Sequence, residues 1–583
     1  MSIKKKKAER RTRWISLLIS EILIMIPKVV ILFQAIPFAD VRDEVSMLAV
    51  PAYLAGCDWS ECISAGGSYY GFGYFFLFAP LFRTNLGMIW IYRIILCVTA
   101  LLEGIIPVIV HYILCHYLKF RSKFLVILIT VIVSFITTNP LYNLFNEHIL
   151  VLIIWGVTLA AFKLVYAETK KERLFHTLLL DILLIYGLFL HTRFQVLLIA
   201  VCMAVIIYRF FYKEWIVSPV FFIVLGVGFF ISQYIIHIVQ ITVWGTAELS
   251  NTSAGIPAVT DFNSLKLLTG FFKVILGNTG TFIIFTASCG IFVFGALICF
   301  FYHTFIKSRS RKKTDKSFFF ILCIFILSTG GILTALGLQH MKAFSVSSNG
   351  EKFYAIKMLT YLRYYILFVI PLLFIGIILY CNAFSFYRKT YKYSLVFTLG
   401  ILMLWIYFIA PEISDTYYGM STFYPFSYLL NLKVRLGIDD FRGIINIILP
   451  VPIFLIILSK KKKLIVLLFT AFLFIYQYTY FAIEIALPQE KIYYHERSES
   501  IDYIMENIKA EQPIYVYDAS KMNFFFYQGY LYQYKIAVKL PDDFDTDAVV
   551  LSNKEIDEML PDYMEGIKLS DKEWVYYYSH SGS

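Results

Sequence analysis

Long apolar stretches, each broken by a few charged or turn-forming residues, dominate this chain. A helix needs about 20 mostly apolar residues to cross the hydrocarbon of a bilayer. Windows of that kind recur near residues 15–35, 89–115, 124–138, 149–166, 176–190, 194–210, 216–238, 272–302, 317–337, 364–381, 394–410, 444–458 and 464–484. The pattern predicts about thirteen membrane-spanning helices. The first stretch is long and lacks a small-residue cleavage site, so it reads as a retained helix and not a removed signal peptide. After the last span the pattern changes. Residues 486–583 are charged and mixed, with helices expected over 498–509 and 554–560 and strands over 513–517, 535–540 and 548–552. That alternation predicts a small α/β unit. The expected fold is a polytopic α-helical membrane protein, residues 1–485, with a small C-terminal α/β domain, residues 486–583.

Composition agrees with this: 59% of the 583 residues are hydrophobic, 18% aromatic and 16% charged, and the mean hydropathy is +0.70. Lys and Arg outnumber Asp and Glu by 52 to 40, a formal charge of +12. Basic residues in short loops stay on the cytoplasmic side. The Lys4–Lys7 and Arg10–Arg13 clusters therefore start the chain inside. Alternating spans then put Lys119–Lys123, Lys170–Arg173, Arg209–Lys213, Lys307–Lys316, Arg388–Lys392 and Lys460–Lys463 on that same side. The positive charge thus reads as anchorage to anionic headgroups of a plasma membrane and not as a nucleic-acid surface. The C-terminal domain falls outside.

The segments left facing outward carry the candidate chemistry. They run over about 36–88, 239–271, 338–363 and 411–443, with the tail beyond the last span. The first contains Asp40, Asp43 and Glu44, then Cys57 and Cys62, and then an apolar piece, Tyr74–Phe82, too short to cross and suited to lie along the interface. The two cysteines read as a small disulfide or as free thiols ahead of a metal site. A carboxylate held in a partly apolar cleft is suited to take a proton from an attacking hydroxyl. Glu147 stands at the same boundary, just before the fourth span, where an acidic group also suits a helix start. His191-Thr-Arg193 closes the fifth span, and Tyr361-Leu-Arg363-Tyr364-Tyr365 opens the tenth. Arginine at this depth can hold a phosphate bidentately or simply reach out to the interface. Glu103 and Asp181 are ionisable groups inside spans, where pairing between helices is their ordinary use. The tail has no Gly-rich phosphate loop, and its many tyrosines suit either a face covering the membrane domain or sugar binding.

In their joint order these features resemble the GT-C superfamily of integral-membrane glycosyltransferases, especially the protein O-mannosyltransferases and the lipid A aminoarabinose transferase. The residues that carry the resemblance are the basic N-terminus and single helix before Asp43-Glu44, the Tyr-Gly-Phe-Gly-Tyr interface segment, the Pro-Leu-Tyr…Glu147 element, Thr192-Arg193, the late Leu-Arg363-Tyr364-Tyr…Pro element and the α/β tail. The resemblance implies an inverting transfer of a sugar from a polyprenyl-phosphate donor to a glycan, glycolipid or protein acceptor at the outer face. It implies Asp43 as general base, Glu44, Asp40 and Glu147 around the sugar and acceptor, and Arg193, with Arg363 and Tyr364, at the leaving phosphate. His191 belongs to the same substrate-binding set, and Arg83 is the basic residue nearest the interface segment. It implies no cofactor. A divalent cation stays open, although Asp40-x-x-Asp43-Glu44 is not an Asp-x-Asp pair.

Two other classes bear on the same sequence. A polysaccharide polymerase or ligase acting on lipid-linked oligosaccharide would rely on arginines in two large outer loops, whereas the outer segments here are richer in acidic and aromatic residues. A secondary transporter would favour repeated halves with broken helices and midplane charges, and the sequence has no such symmetry.

Overall fold

The computed structural model describes residues 3–38, 41–136, 140–245, 265–286, 290–305, 312–341, 358–382, 384–412, 458, 462–517, 523–541, 544, 547–570 and 573–578. Asp40, much of the outer segments 239–271 and 338–363, nearly all of 411–443 and all but the last residue of the span expected at 444–458 lie outside the described residues.

The described chain is a polytopic helical membrane protein with a small sheet near its C-terminus. Nine described helices are long and apolar enough to cross a membrane, and shorter apolar helices cover Lys123–Ser134, Gly290–Phe305, Ile366–Cys381 and Lys392–Phe408. Each arises where the sequence is apolar on nearly every face, because lipid leaves backbone amides no partners except those within the helix.

The stretch at 272–302 forms two helices, Leu265–Phe285 and Gly290–Phe305. They still make one passage. Along the Phe384–Phe408 helix, Thr390, Phe397 and Trp405 meet Cys299, Phe294 and Gly277 in that order, which is the pattern of a single antiparallel crossing. The break between the two helices therefore adds no crossing. The span expected at 464–484 does not stop there: its helix continues, through a π-helical turn at Phe481–Ala486, as far as His495.

The first outer segment is more ordered than its sequence suggested. Val41–Ala55 and Ser60–Gly66 are helices, the first carrying Pro51 within it, and two short turns cover Phe75–Phe78 and Ala79–Phe82. Cys57 and Cys62 are free thiols. Glu103 is paired between helices, its carboxylate taking Lys28 Nζ at 2.6 Å and His148 Nδ1 at 2.8 Å. Asp181 is buried with neither oxygen hydrogen-bonded.

Beyond His495 come a helix at Ser498–Asn507 and five strands: β1 Ile514–Tyr517, β2 Ile536–Ala537, β3 Val549–Ser552, β4 Met564–Ser570 and β5 Glu573–Tyr578. The sheet order is β2-β1-β3-β5-β4, with β1 parallel to β2 and β3, and β5 antiparallel to both neighbours. The three expected strands are present, and the β4–β5 pair was missed. The helix expected over 554–560 is only a turn at Asp557–Met559. Ile556 and Leu560 pack with Val550 and Tyr576, and Ile556 N donates to the Tyr576 hydroxyl, so the segment is held by two apolar anchors ahead of Pro561.

Tyrosines of the tail hold the first outer segment. The helix Asn523–Tyr530 and the turn after it send Tyr530 Oη to the Pro37 carbonyl (3.2 Å) and Tyr532 Oη to that of Thr84 (2.7 Å), while Trp59 Nε1 donates to the Tyr532 carbonyl (2.9 Å).

Candidate functional site

Four helices bring their N-terminal ends to one place. Asp43 lies in the first turn of Val41–Ala55, Glu147 is the first residue of Glu147–Tyr166, Arg193 is the N-cap of Phe194–Tyr212, and Arg363 sits in the 3-10 turn Leu362–Tyr364 that leads into Ile366–Asn382. Helix N-termini carry partial positive charge, which favours carboxylates there and adds to the arginines as a field for an anion.

The side chains meet as one network. Glu147 Oε1 accepts from Arg193 Nη2 at 2.7 Å and from Arg363 Nε at 2.8 Å, and Arg363 Nη1 reaches Asp43 Oδ2 at 3.2 Å. Arg363 thus bridges the two carboxylates. Side-chain exposure falls from 15% at Asp43 to 9% at Arg363 and 4% at Glu147, so the network runs from an accessible acid to a buried one. Buried charges are tolerated when paired and hydrogen-bonded, and these two cations and two anions cancel. The arginines are further fixed by aromatic faces: Arg193 stands 4.8 Å from the Tyr364 ring centre and Arg363 3.9 Å from that of Phe145. Arg193 Nη1 also donates to the Arg363 carbonyl at 3.0 Å. Glu147 Oε2 is buried with no hydrogen-bond partner.

His191 completes the arginine's surroundings. Arg193 Nη2 lies 2.8 Å from His191 Nε2, and a guanidinium can only donate. Nε2 therefore accepts, and Nδ1 lies 3.2 Å from the Arg193 backbone amide and 3.4 Å from the Thr192 hydroxyl, so both ring nitrogens face donors and not carboxylates. Burial first, and the Arg193 charge second, hold His191 well below the ordinary imidazole range, consistent with a neutral ring. Burial also pushes the Tyr364 hydroxyl up.

Asp43, Glu147, His191, Arg193, Arg363 and Tyr364 are thus brought together. Glu44 is not among them. Neighbouring helical residues point about 100° apart, and Glu44, 0% exposed, turns inward to accept from Tyr92 Oη (2.5 Å) and the Leu144 amide (2.6 Å). The Leu144 bond pins the segment leading into Glu147, so Glu44 supports the site from behind, which corrects its expected place beside Asp43 around the sugar and acceptor. Arg83 bonds the Leu54 carbonyl at 2.7 Å on the surface.

Tyr70 is the residue that sequence reading missed. Burial first, and the neighbouring Asp43 charge second, push its hydroxyl well above the ordinary phenol range and keep it protonated. Its ring lies 6.1 Å from His191, and Asn146 Nδ2 holds its carbonyl at 3.1 Å. Gly71, next in the chain, has φ of 101°, and a Cβ there would stand 2.2 Å from the Leu190 carbonyl oxygen. Only glycine permits this approach, which lets Phe72 and Gly73 amides bond the Phe189 carbonyl, both at 2.9 Å. The Tyr-Gly-Phe-Gly-Tyr run was the signal, legible as an interface segment but not as a hinge placing Tyr70.

Among the described residues no group of three or more His, Cys, Asp or Glu side chains stands close enough to hold a metal ion.

No family model matches this sequence, and no curated protein matches it. Among solved structures, the chain is similar to ArnT from Cupriavidus metallidurans bound to undecaprenyl phosphate, with a TM-score of 0.48 and 11% identity over 97% of this chain and 98% of that one. It is also similar to the apo state of the same protein, with a TM-score of 0.45 and 11% identity over 98% of each chain.

Proposed function

We propose that the protein is an inverting glycosyltransferase that moves a sugar from a polyprenyl-phosphate donor to an acceptor hydroxyl at the outer face of the plasma membrane, with its N-terminus in the cytoplasm. The observation that carries this reading is Arg363 bridging Asp43 and Glu147 while Arg193 holds the same oxygen of Glu147. An accessible carboxylate beside two guanidinium groups at helix N-termini supplies what such a transfer needs: a place for a proton and a place for an anion.

In the proposed reaction the acceptor oxygen attacks the anomeric carbon from the face opposite the phosphate. A new C–O bond forms as the anomeric carbon–phosphate oxygen bond breaks, which inverts the configuration. The acceptor proton goes to Asp43. The bonding pair leaves with the phosphate oxygen, turning a phosphodiester monoanion into a phosphomonoester dianion. Arg363 Nη1, which holds Asp43 at rest, turns to the phosphate as charge builds there and frees the carboxylate to accept the proton. Arg193 adds a second donor, and the neutral His191 keeps its guanidinium oriented. Interactions that strengthen as charge develops lower the barrier instead of merely tightening substrate binding. Glu147 stays buried and keeps both arginines in register.

Transfer of radiolabelled sugar from polyprenyl phosphate by the purified protein tests this. Asp43→Asn is expected to slow transfer by about 10²- to 10⁴-fold, the usual worth of a general base, with thermal stability little changed. A variant that keeps the full rate overturns the assignment of Asp43.

A further inference from the structure

The C-terminal domain holds a second cleft, away from the charge network, with a cavity of about 150 Å³. Ligand sites commonly gather a few convergent polar groups. Its place in the sheet is informative. The chain leaves β1 toward β2 on one side and returns to β3 on the other, so the parallel strands β1 and β3 flank the point where strand order reverses. In open α/β sheets ligands bind at that point, outside the carboxyl ends of the strands. Tyr517 and Ser552, the paired last residues of β1 and β3, both line the cleft.

The lining chemistry narrows the ligand. Its charged side chains are Glu496, Arg497 and Glu573, and Arg497 Nη1 already faces Glu496 at 3.5 Å. Glu573 is 3% exposed and accepts from the Ser500 and Tyr527 hydroxyls. Two carboxylate oxygens offer about four lone-pair directions, so this preorganised group retains capacity to accept from a further hydroxyl. Burial pushes Glu573 up from the ordinary carboxylate range, and in either protonation state the described lining residues carry no net positive charge. The loop after β1 reads Asp-Ala-Ser-Lys-Met and is not the Gly-rich cradle of a nucleotide site, and Lys554 Nζ stands 5.4 Å from the Tyr517 ring centre. Hydroxyl acceptors and donors beside the tyrosine rings of Tyr517 and Tyr527 match a neutral, hydroxyl-rich ligand instead.

We infer that this cleft at the carboxyl ends of β1 and β3 binds a neutral saccharide segment of the acceptor. The inference rests on the transferase reading for the origin of that saccharide. The helix Asn523–Tyr530 connects the two sites: Asn523 and Tyr527 line the cleft, while Gly529 and Tyr530 pack on Phe38, just ahead of the segment that carries Asp43. Seven residues of helix span about 10 Å. A glycan chain seated in the cleft would thus be held on the side of the domain from which its growing end can reach the charge network.

The test is binding of neutral tetrasaccharides of mannose, glucose and N-acetylglucosamine to the full chain in lipid nanodiscs, with inorganic phosphate and UDP as anionic probes. At least one tetrasaccharide is expected to bind, and Tyr517→Ala is expected to weaken it by about tenfold or more, with the anions unbound. Tyr517→Phe, which keeps the ring, is expected to retain more than half of the affinity and guards against a folding defect in the alanine variant. Failure of every tetrasaccharide to bind, binding indifferent to Tyr517→Ala, or occupation by phosphate or UDP overturns the inference. Sugar transfer measured on the same preparations separates the two readings. Intact transfer without saccharide binding sinks the cleft alone, and saccharide binding without transfer from any polyprenyl-phosphate sugar sinks the transferase reading alone.

Discussion

At the scale of single residues, the account turns on how two guanidinium groups are shared. Arg363 bonds Glu147 through Nε and Asp43 through Nη1, a two-sided reach that a lysine ammonium, with its single point of charge, cannot reproduce. His191 adds a pH dependence. Its folded value lies well below the ordinary 6.5, so below that pH the unfolded chain binds a proton that the native ring does not. Stability therefore rises with pH between the folded value and 6.5 and is lost as pH falls through that window. Thermal melting across this range is expected to show a shallower acid-side decline for His191→Gln than for the unchanged protein, and equal declines would contradict a neutral His191. Much of this group was legible in the sequence because its members stand at the outer ends of apolar runs on one side of the membrane: Asp43 after the first, Glu147 before the fourth, Arg193 after the fifth and Arg363 before the tenth. Glu44 was misjudged because adjacency in sequence hides the 100° turn between neighbours on a helix. Nor could Tyr70 be read, since its place depends on a backbone approach two helices away.

At the scale of elements, the Val41–Ala55 helix and the Tyr70–Tyr74 segment do the positioning. The helix was hidden by its length and by Pro51, which removes one amide donor from its interior. Its first turn aims Asp43 at Arg363 and Glu44 at Tyr92 and Leu144, so one element sets both the reactive acid and the strut behind Glu147. Gly71 makes the second element possible. Gly71→Ala is expected to push the segment off the Leu190 carbonyl, displacing Tyr70 from Asp43 and lowering transfer by about tenfold or more, at a stability cost of about 1 to 3 kcal/mol for the strained backbone. A variant with unchanged rate and melting temperature would show that the close approach is dispensable. The sheet was read in part for a related reason. Isolated apolar runs mark β1 and β3, whereas β4, Met-Glu-Gly-Ile-Lys-Leu-Ser, mixes three polar with three apolar residues around a glycine and pairs on one edge only.

For the whole molecule, hydropathy fixed the course of the chain well, because lipid admits few alternatives to a helix. The broken passage at 265–305 and the helix running on to His495 escaped it, since both depend on packing rather than on local apolarity. Buried polar ties then hold the spans in register: Lys28, Glu103 and His148 link three of them directly behind Glu147, and the tail clamps the first outer segment through Trp59, Tyr530 and Tyr532. The result is a neutral charge network placed at four helix N-termini, able to accept an anion only by exchanging a carboxylate for it. A cryo-EM structure of the protein with bound polyprenyl phosphate examines that exchange directly. The account predicts phosphate oxygens about 2.7 to 2.9 Å from the guanidinium nitrogens of Arg363 and Arg193, the spacing of charge-assisted hydrogen bonds, with Arg363 turned away from Asp43. A phosphate bound elsewhere, with Arg363 still bridging Asp43 and Glu147, would contradict it.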